Sequence, residues 1–111
     1  MEKFVKGEIV VIPFPFSDLS SSKKRPALII ANPIQEDILL AQITSKINLN
    51  KYSIEINNKD LIEGSLPTTS YIKINRLFSA DINLIKYKLG KVNKNKLKEI
   101  ELKLIELIKE K

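Results

Sequence analysis

The sequence has 111 residues, a length typical of one domain, and 43% of them are hydrophobic. It contains neither cysteine nor histidine, which excludes disulfides, thiolate and imidazole metal sites, thiol nucleophiles and a Ser-His-Asp triad. Lysine and arginine total 19 against 13 acidic residues, and the resulting charge of +6 fits either a polyanionic partner or a lysine-rich surface. No apolar run approaches the ~20 residues of a membrane-spanning helix, and the N-terminus lacks a signal-peptide pattern, so we expect a cytoplasmic protein and no membrane partner.

The first two predicted strands lie on either side of a polar, basic segment. The β-branched residues within 8–14 favour a strand that ends at its prolines. The continuous apolar run in 26–32 predicts a central strand, and Asn32-Pro33 after it is a turn signal. The loop 17–24 joins the two strands and carries a run of serines before two lysines. Arg25 then stands at the mouth of the second strand.

Further short strands are predicted downstream, separated by polar turns. They are residues 37–45, 53–57 and 70–74 with a short continuation to 81, and a possible strand within 84–90. Residues 58–67 are predicted as a loop that could carry one helical turn.

The end of the chain has a different pattern. From Lys94 to Lys109 the apolar residues recur at steps of three and four, which predicts an amphipathic helix with Asn93 as its N-cap. Because the connections between strands are short, we expect antiparallel pairing. The predicted fold is mainly β: one domain over residues 1–111, with six or so short strands in a curled sheet or partial barrel capped by the C-terminal helix.

Few residues of this chain can carry chemistry. The carboxylates are scattered without metal-ligand spacing, and no glycine-rich phosphate loop is present. Residues whose side chains could take part in chemistry concentrate in 20–25 and in Thr44, Ser45 and Lys46. Both groups lie at ends of candidate core strands. A guanidinium can donate two parallel hydrogen bonds to a phosphate, lysines attract a polyanionic backbone, and a threonine hydroxyl can bind a phosphoryl oxygen. The residues alone fit either an RNA-cleaving site or a charged hairpin loop beside a partly buried threonine.

Several segments, in this order, resemble the MazF/PemK family of toxin endoribonucleases from about Gly7 to Leu107. They are G-E-I-V-V-I-P-F-P-F-S-D-L, K-K-R-P-A-L-I-I, A-Q-I-T-S, S-Y-I-K-I-N-R-L-F and the Gly-x-Val-Asn helix start. The resemblance implies an SH3-like barrel, a homodimer, and metal-independent, sequence-selective cleavage of single-stranded RNA to 2′,3′-cyclic phosphate and 5′-hydroxyl ends. It implies no cofactor. It also implies a type II toxin whose cognate acidic antitoxin occupies the RNA-binding groove and with which it binds DNA.

The resemblance assigns catalytic roles to Arg25 and Thr44. Arg25 matches the arginine of the family's R-P motif, which acts on the scissile phosphate and in proton transfer. Because the pKa of a guanidinium is far too high for a base at neutral pH, we expect charge stabilisation and proton donation from it. The expected substrate-binding residues are Phe16, Ser17, Lys23, Lys24, Ser45, Lys46 and Arg76.

This chain departs from the family pattern in two places. The loop before Arg25 lacks the glycine-rich, glutamine-containing form of many members and resembles a shorter-loop branch. Where many relatives carry I-R-T, this chain has L-F-S, one step after Arg76. The alternative hypothesis is a non-catalytic toxin on the same barrel that binds nucleic acid or poisons a topoisomerase.

Overall fold

The computed structural model describes residues 4–14, 23–34, 36–47 and 49–110, in which seven β-strands precede one α-helix. The strands are β1 (Glu8–Pro13), β2 (Lys24–Ile34), β3 (Asp37–Thr44), β4 (Ser53–Ile56), β5 (Leu61–Gly64), β6 (Ser70–Asp81) and β7 (Tyr87–Val92), and the helix is α1 (Lys94–Lys109). Single 3₁₀ turns precede β5 and follow β6. The mainly β class with a C-terminal helix is therefore confirmed.

All seven strands form one antiparallel sheet in the order β4-β6-β3-β2-β1-β7-β5. The two edge strands, β4 and β5, do not pair with each other in the described part of the chain, so the sheet is not closed. Lys96 of α1 reaches towards both edges. Its Nζ lies 3.0 Å from the carbonyl oxygen of Glu55 on β4 and 3.9 Å from the carboxylate of Asp60, just before β5. The helix thus connects the two edges that strand pairing leaves separate.

Both faces of the central strands are apolar. One core cluster lies against α1 and includes Leu28, Ile72 and the fully buried Ile100 of the helix. The other cluster lies on the opposite face and includes Ile12, Ile29 and Leu40. Because β1 and β2 are buried on both sides, their sequences are continuous apolar runs rather than alternating ones. Burial of each such side chain contributes about 1.5–3 kcal/mol.

Helix α1 begins where the sequence predicts. Asn93 has an extended backbone, and its side-chain oxygen accepts a hydrogen bond of 2.8 Å from the N–H of Lys96, as an N-cap does. Leu97, Leu104 and Leu107 pack against the core cluster on one side of the helix. No helix in the described ranges is long and apolar enough to cross a membrane.

The predicted loop 58–67 is wrong in part, because residues Leu61–Gly64 form the edge strand β5. Only Leu61 of this strand is even half-buried, so its sequence lacks the alternation that marks a strand. Its pairing with β7 brings the backbones of Gly64 and Gly90 together. A Cβ at Gly64, where φ is +75°, would lie 1.9 Å from the carbonyl oxygen of Leu89. This edge therefore depends on glycine.

Two further boundaries differ from prediction. Strand β2 continues through Asn32-Pro33 to Ile34, because shifts of register in its pairing with β3 accommodate the proline. Strand β6 runs over residues 70–81 as predicted, and a bulge separates its first part from the continuation. Strand β7 is Tyr87–Val92 and not 84–90, since the residues Ile82–Leu84 form a 3₁₀ turn.

Candidate active site

A groove of about 490 Å³ lies at the end of the sheet where β2 begins and β3 ends. These ends meet because β2 and β3 are antiparallel neighbours. Six of the residues predicted from the sequence to form the site line the groove: Lys23, Lys24, Arg25, Thr44, Ser45 and Lys46. The structure thus brings two separate sequence segments into one concave surface.

The strand register explains why Arg25 and Thr44 are neighbours. Ala27 of β2 pairs with Gln42 of β3. Since the strands run in opposite directions, Arg25 and Thr44 are each two residues beyond that pair towards the same end of the sheet. A step of two residues returns a strand side chain to the same face. Both predicted catalytic side chains therefore extend from one face at the sheet's end.

The Arg25 guanidinium lies above an aromatic pair. Its Cζ atom is 5.9 Å from the centroid of the Phe14 ring, within the range of a cation–π interaction. The Phe14 ring in turn packs edge-to-face on Phe78, with centroids 5.2 Å apart and an interplanar angle of 61°. Both rings are buried, so they support the exposed guanidinium from a fixed position.

The Thr44 side chain is held in a defined orientation at the end of β3. Its Oγ1 accepts a hydrogen bond of 3.1 Å from the backbone N–H of Lys46, which closes a tight turn. A hydroxyl that accepts one bond can still donate its own proton. Thr44 is half-buried, whereas Ser45 and Lys46 are exposed. The groove therefore contains one oriented hydroxyl donor close to the Arg25 position.

The groove is strongly cationic. Four cations line it, Lys23, Lys24, Arg25 and Lys46, and no aspartate or glutamate does so among the described residues. Five lysines elsewhere in the described chain, Lys6, Lys51, Lys88, Lys96 and Lys103, pair with carboxylates, whereas none of the described ion pairs involves a groove cation. The groove cations are thus available to an anionic ligand.

The opposite wall of the groove is largely apolar and was missed by the sequence analysis. It includes Leu66, Pro67, Leu89 and the 52% exposed ring of Tyr87. Asn58 fixes this wall, because its side chain accepts a 2.6 Å hydrogen bond from the N–H of Leu66 and donates one of 3.2 Å to the Leu66 carbonyl. Only the tyrosine within the possible strand 84–90 could have signalled this wall, and a lone aromatic residue is a weak signal.

An ion-pair network anchors β7 beside this wall. The Nζ of Lys88 lies 3.2 Å from the carboxylate of Glu8 and 3.3 Å from that of Glu63. The hydrogen bond to Glu8 is the main cause that raises the pKa of Lys88 above its ordinary value. The Glu8 carboxylate is buried and also accepts a 2.8 Å hydrogen bond from the N–H of Val5. The network therefore ties β7 to β1 and β5.

The remaining predicted site residues do not line the groove in the described part of the chain. Phe16 and Ser17 lie outside the described residues, so their roles stay predictions. Arg76 is exposed in the bulge of β6, where the pairing with β3 skips from Lys73 to Leu77. Its role in substrate binding also stays a prediction. Within the described ranges no three acidic side chains come together in a way that could hold a metal ion.

Comparison with known proteins identifies the family. The model of the PemK-like, MazF-like toxins of type II toxin–antitoxin systems matches residues 5–108 of the chain. A search of curated proteins finds no significant match.

Solved structures share the fold. A mycobacterial endoribonuclease in complex with its cognate antitoxin superposes with a TM-score of 0.73 at 15% identity, over 94% of this chain and 93% of that one. MazF from Deinococcus radiodurans superposes with a TM-score of 0.72 at 18% identity, over 97% and 98%. The MazE–MazF complex from that organism gives a TM-score of 0.72 at 16% identity over 100% of both chains. The chain belongs to the PemK-like, MazF-like toxin family.

Proposed function

We propose that this member of the PemK-like, MazF-like family is the toxin of a type II system and an endoribonuclease that cleaves single-stranded RNA without a metal ion. The observation that carries the proposal is the groove in which Arg25 and Thr44 are neighbours. Arg25 and three lysines line it, and no acidic side chain lines its described part. Proteins of the same fold are described as endoribonucleases, which supports the class of activity.

The reaction that suits these residues is attack by the RNA's own 2′-hydroxyl on the adjacent phosphorus. The O2′–P bond forms and the P–O5′ bond breaks, which leaves a 2′,3′-cyclic phosphate and a 5′-hydroxyl. The proton of the 2′-hydroxyl passes to water, O5′ takes a proton from Arg25, and water returns one to Arg25. Negative charge grows on the phosphoryl oxygens during attack, and the planar guanidinium can donate two hydrogen bonds to them.

Thr44 has a supporting role in this proposal. Its Oγ1 already accepts the N–H of Lys46, so its hydroxyl proton is directed to another acceptor. A phosphoryl oxygen in the groove is such an acceptor. Lys23, Lys24 and Lys46 attract and hold the neighbouring phosphates.

The test is cleavage of a mixed-sequence single-stranded RNA by the purified protein in excess EDTA, with the ends of the products identified. We expect cleavage to persist in EDTA and to give cyclic-phosphate ends. Arg25→Ala should lower the rate by about 10²–10³-fold, the usual loss for one transition-state donor. Thr44→Val should reduce the rate and Thr44→Ser should restore much of it, because serine keeps the hydroxyl.

Lys98→Ala is the matched control, since it also removes one exposed cation but lies on α1 and does not line the groove. It should cleave as the wild type does. Cleavage that requires Mg²⁺, or that survives the loss of Arg25 in a folded variant, would contradict the mechanism. Binding of RNA with no cleavage under any condition would favour the non-catalytic alternative.

The partners follow from the same groove. We propose that an acidic antitoxin binds over the four cations and competes with RNA for them, as the charge complementarity favours. The fold neighbour that is described as an endoribonuclease in complex with its cognate antitoxin supports this partner. Homodimer formation and a cytoplasmic location stay predictions. The exposed apolar side chains of Leu102, Ile105 and Ile108 along α1 are compatible with a subunit contact, which sedimentation would test.

A further inference from the structure

The groove has two chemically different walls. The wall formed by the beginning of β2 and the end of β3 carries all four of the cations that line the described groove. The wall formed by β7 and the segment before β6 carries Leu66, Pro67, Tyr87 and Leu89. A single strand of RNA has the same two-sided character, with phosphates along one side and flat aromatic bases on the other.

Tyr87 is the one aromatic residue among the described residues that line the groove. Its side chain is 52% exposed although the ring is apolar, and none of the hydrogen bonds in the described part of the chain uses its hydroxyl. An aromatic ring left open in a cationic groove is the arrangement on which single-stranded nucleic acids stack their bases.

The backbone around Tyr87 is held from both sides. The N–H of Lys86 donates a 2.8 Å hydrogen bond to the carbonyl of Val11, and the carbonyl of Leu89 accepts one of 3.2 Å from the N–H of Ser65. The side chain of Lys88 adds the ion pairs with Glu8 and Glu63. A platform fixed in this way loses little conformational entropy when a base stacks on it.

The register places this ring close to the cationic wall. Val11 of β1 pairs with Tyr87 on one side and with Pro26 on the other, and all three line the groove. Tyr87 and Pro26 are thus two strand spacings apart, about 10 Å. Lys24 is two residues from Pro26, so it extends from the same face of β2 at the groove's cationic end, and one short oligonucleotide can contact both walls.

We infer that Tyr87 is a base-stacking residue of the RNA groove, supported by the apolar surface of Leu66, Pro67 and Leu89, and that the RNA binds with its phosphates on the β2–β3 wall and a base on β7. This inference rests on the proposed function. It adds a contact that recognises the base rather than the phosphate, and it gives β7 a part in the choice of nucleotide.

The test measures binding by fluorescence anisotropy of labelled 2′-O-methyl RNA of mixed sequence, which cannot be cleaved because it has no free 2′-hydroxyl. A second probe is an abasic oligonucleotide of the same length, which keeps the phosphates and lacks the bases. Tyr87→Leu should weaken binding of the first probe by about 5- to 100-fold, and Tyr87→Phe should bind it as the wild type does. Binding of the abasic probe should be the same in all three proteins.

Leu49→Ala is the matched control, because Leu49 is 53% exposed, about as much as Tyr87, and does not line the groove. Equal losses of both probes in Tyr87→Leu would assign Tyr87 a structural role and overturn the inference. So would unchanged binding of RNA together with weaker binding of a synthetic acidic peptide, which would assign the wall to the antitoxin. In either case Arg25-dependent cleavage would leave the proposed function standing. If the wild type neither binds nor cleaves RNA, the proposed function is overturned and this inference with it.

Discussion

The salt dependence of RNA binding gives a quantitative test of the cationic wall. Counterions condensed on RNA are released when cations replace them at the phosphates, so affinity falls as salt concentration rises. Among the described residues the groove offers four such cations, Lys23, Lys24, Arg25 and Lys46, and no acidic side chain that could neutralise them. The slope of log affinity against log salt concentration therefore reports how many of the four touch phosphates.

The expected magnitude follows from this number. For single-stranded nucleic acid each phosphate contact contributes a slope of about −0.7, so four contacts predict about −2.8. Between 50 and 200 mM salt, affinity should then fall by about 50-fold. Replacement of Lys24 or Lys46 by glutamine removes one contact, and the slope should become shallower by about 0.7.

The assay is anisotropy of the labelled 2′-O-methyl RNA titrated with protein at several KCl concentrations. Lys98→Gln serves as the control, since it changes the net charge equally but lies on α1 away from the groove. A wild-type slope shallower than about −1 would refute the reasoning, because fewer than two cations would then contact phosphates. Equal slopes in the Lys24→Gln and Lys98→Gln proteins would refute it as well.

Two further predictions concern the support of β7. The raised pKa of Lys88 means that its ion pairs stabilise the fold fully below pH 10.5, its ordinary pKa, and lose their effect as pH rises through the higher folded value. The stability margin of the wild type over Lys88→Met, measured by urea unfolding, should be constant from pH 7 to 9 and shrink above 10.5; a margin unchanged at pH 11.5 would contradict this. Gly64→Ala should lower the free energy of unfolding by more than about 1 kcal/mol, because φ is +75° and the added Cβ would clash with the carbonyl of Leu89. Gly7→Ala is the control, since its φ of +94° carries similar strain but its Cβ would have 3.7 Å of space, and an equal loss in both would mean that the clash has no effect.

The elements that the sequence predicted well are those with one dominant local signal. The β-branched run of β1 is buried on both faces, and Asn93 followed by a regular apolar stripe defines the start of α1. Strand β5 could not be predicted in this way, because its residues are mostly exposed and its place depends on close contact between Gly64 and Gly90. That contact is set by the pairing with β7 and not by any pattern within residues 58–67.

The residues of the candidate site also divide into those that a local sequence signal marks and those that only the pairing of distant strands brings into place. Arg25, Thr44 and the lysines beside them could be found from the sequence, because they concentrate at predicted strand ends and match a family motif. Tyr87 could not, because its position in the groove depends on which strand lies next to β1. The sheet order places β7 there, although about 75 residues separate the two strands in sequence. Short-range patterns contain no information on such a pairing.

The two walls of the groove are held by different parts of the fold, and this separates their effects on catalysis. Arg25 and Thr44 are fixed by the β2–β3 register and by the Phe14 ring, whereas Tyr87 and Leu66 are fixed by the ion pairs of Lys88 and the hydrogen bonds of Asn58. If Tyr87 stacks a base equally in the ground state and the transition state, its loss raises KM and leaves kcat unchanged. Loss of Arg25, which we propose acts on the charge that develops during attack, should lower kcat instead. The relative changes in kcat and KM therefore distinguish the wall that binds the base from the wall that performs the reaction.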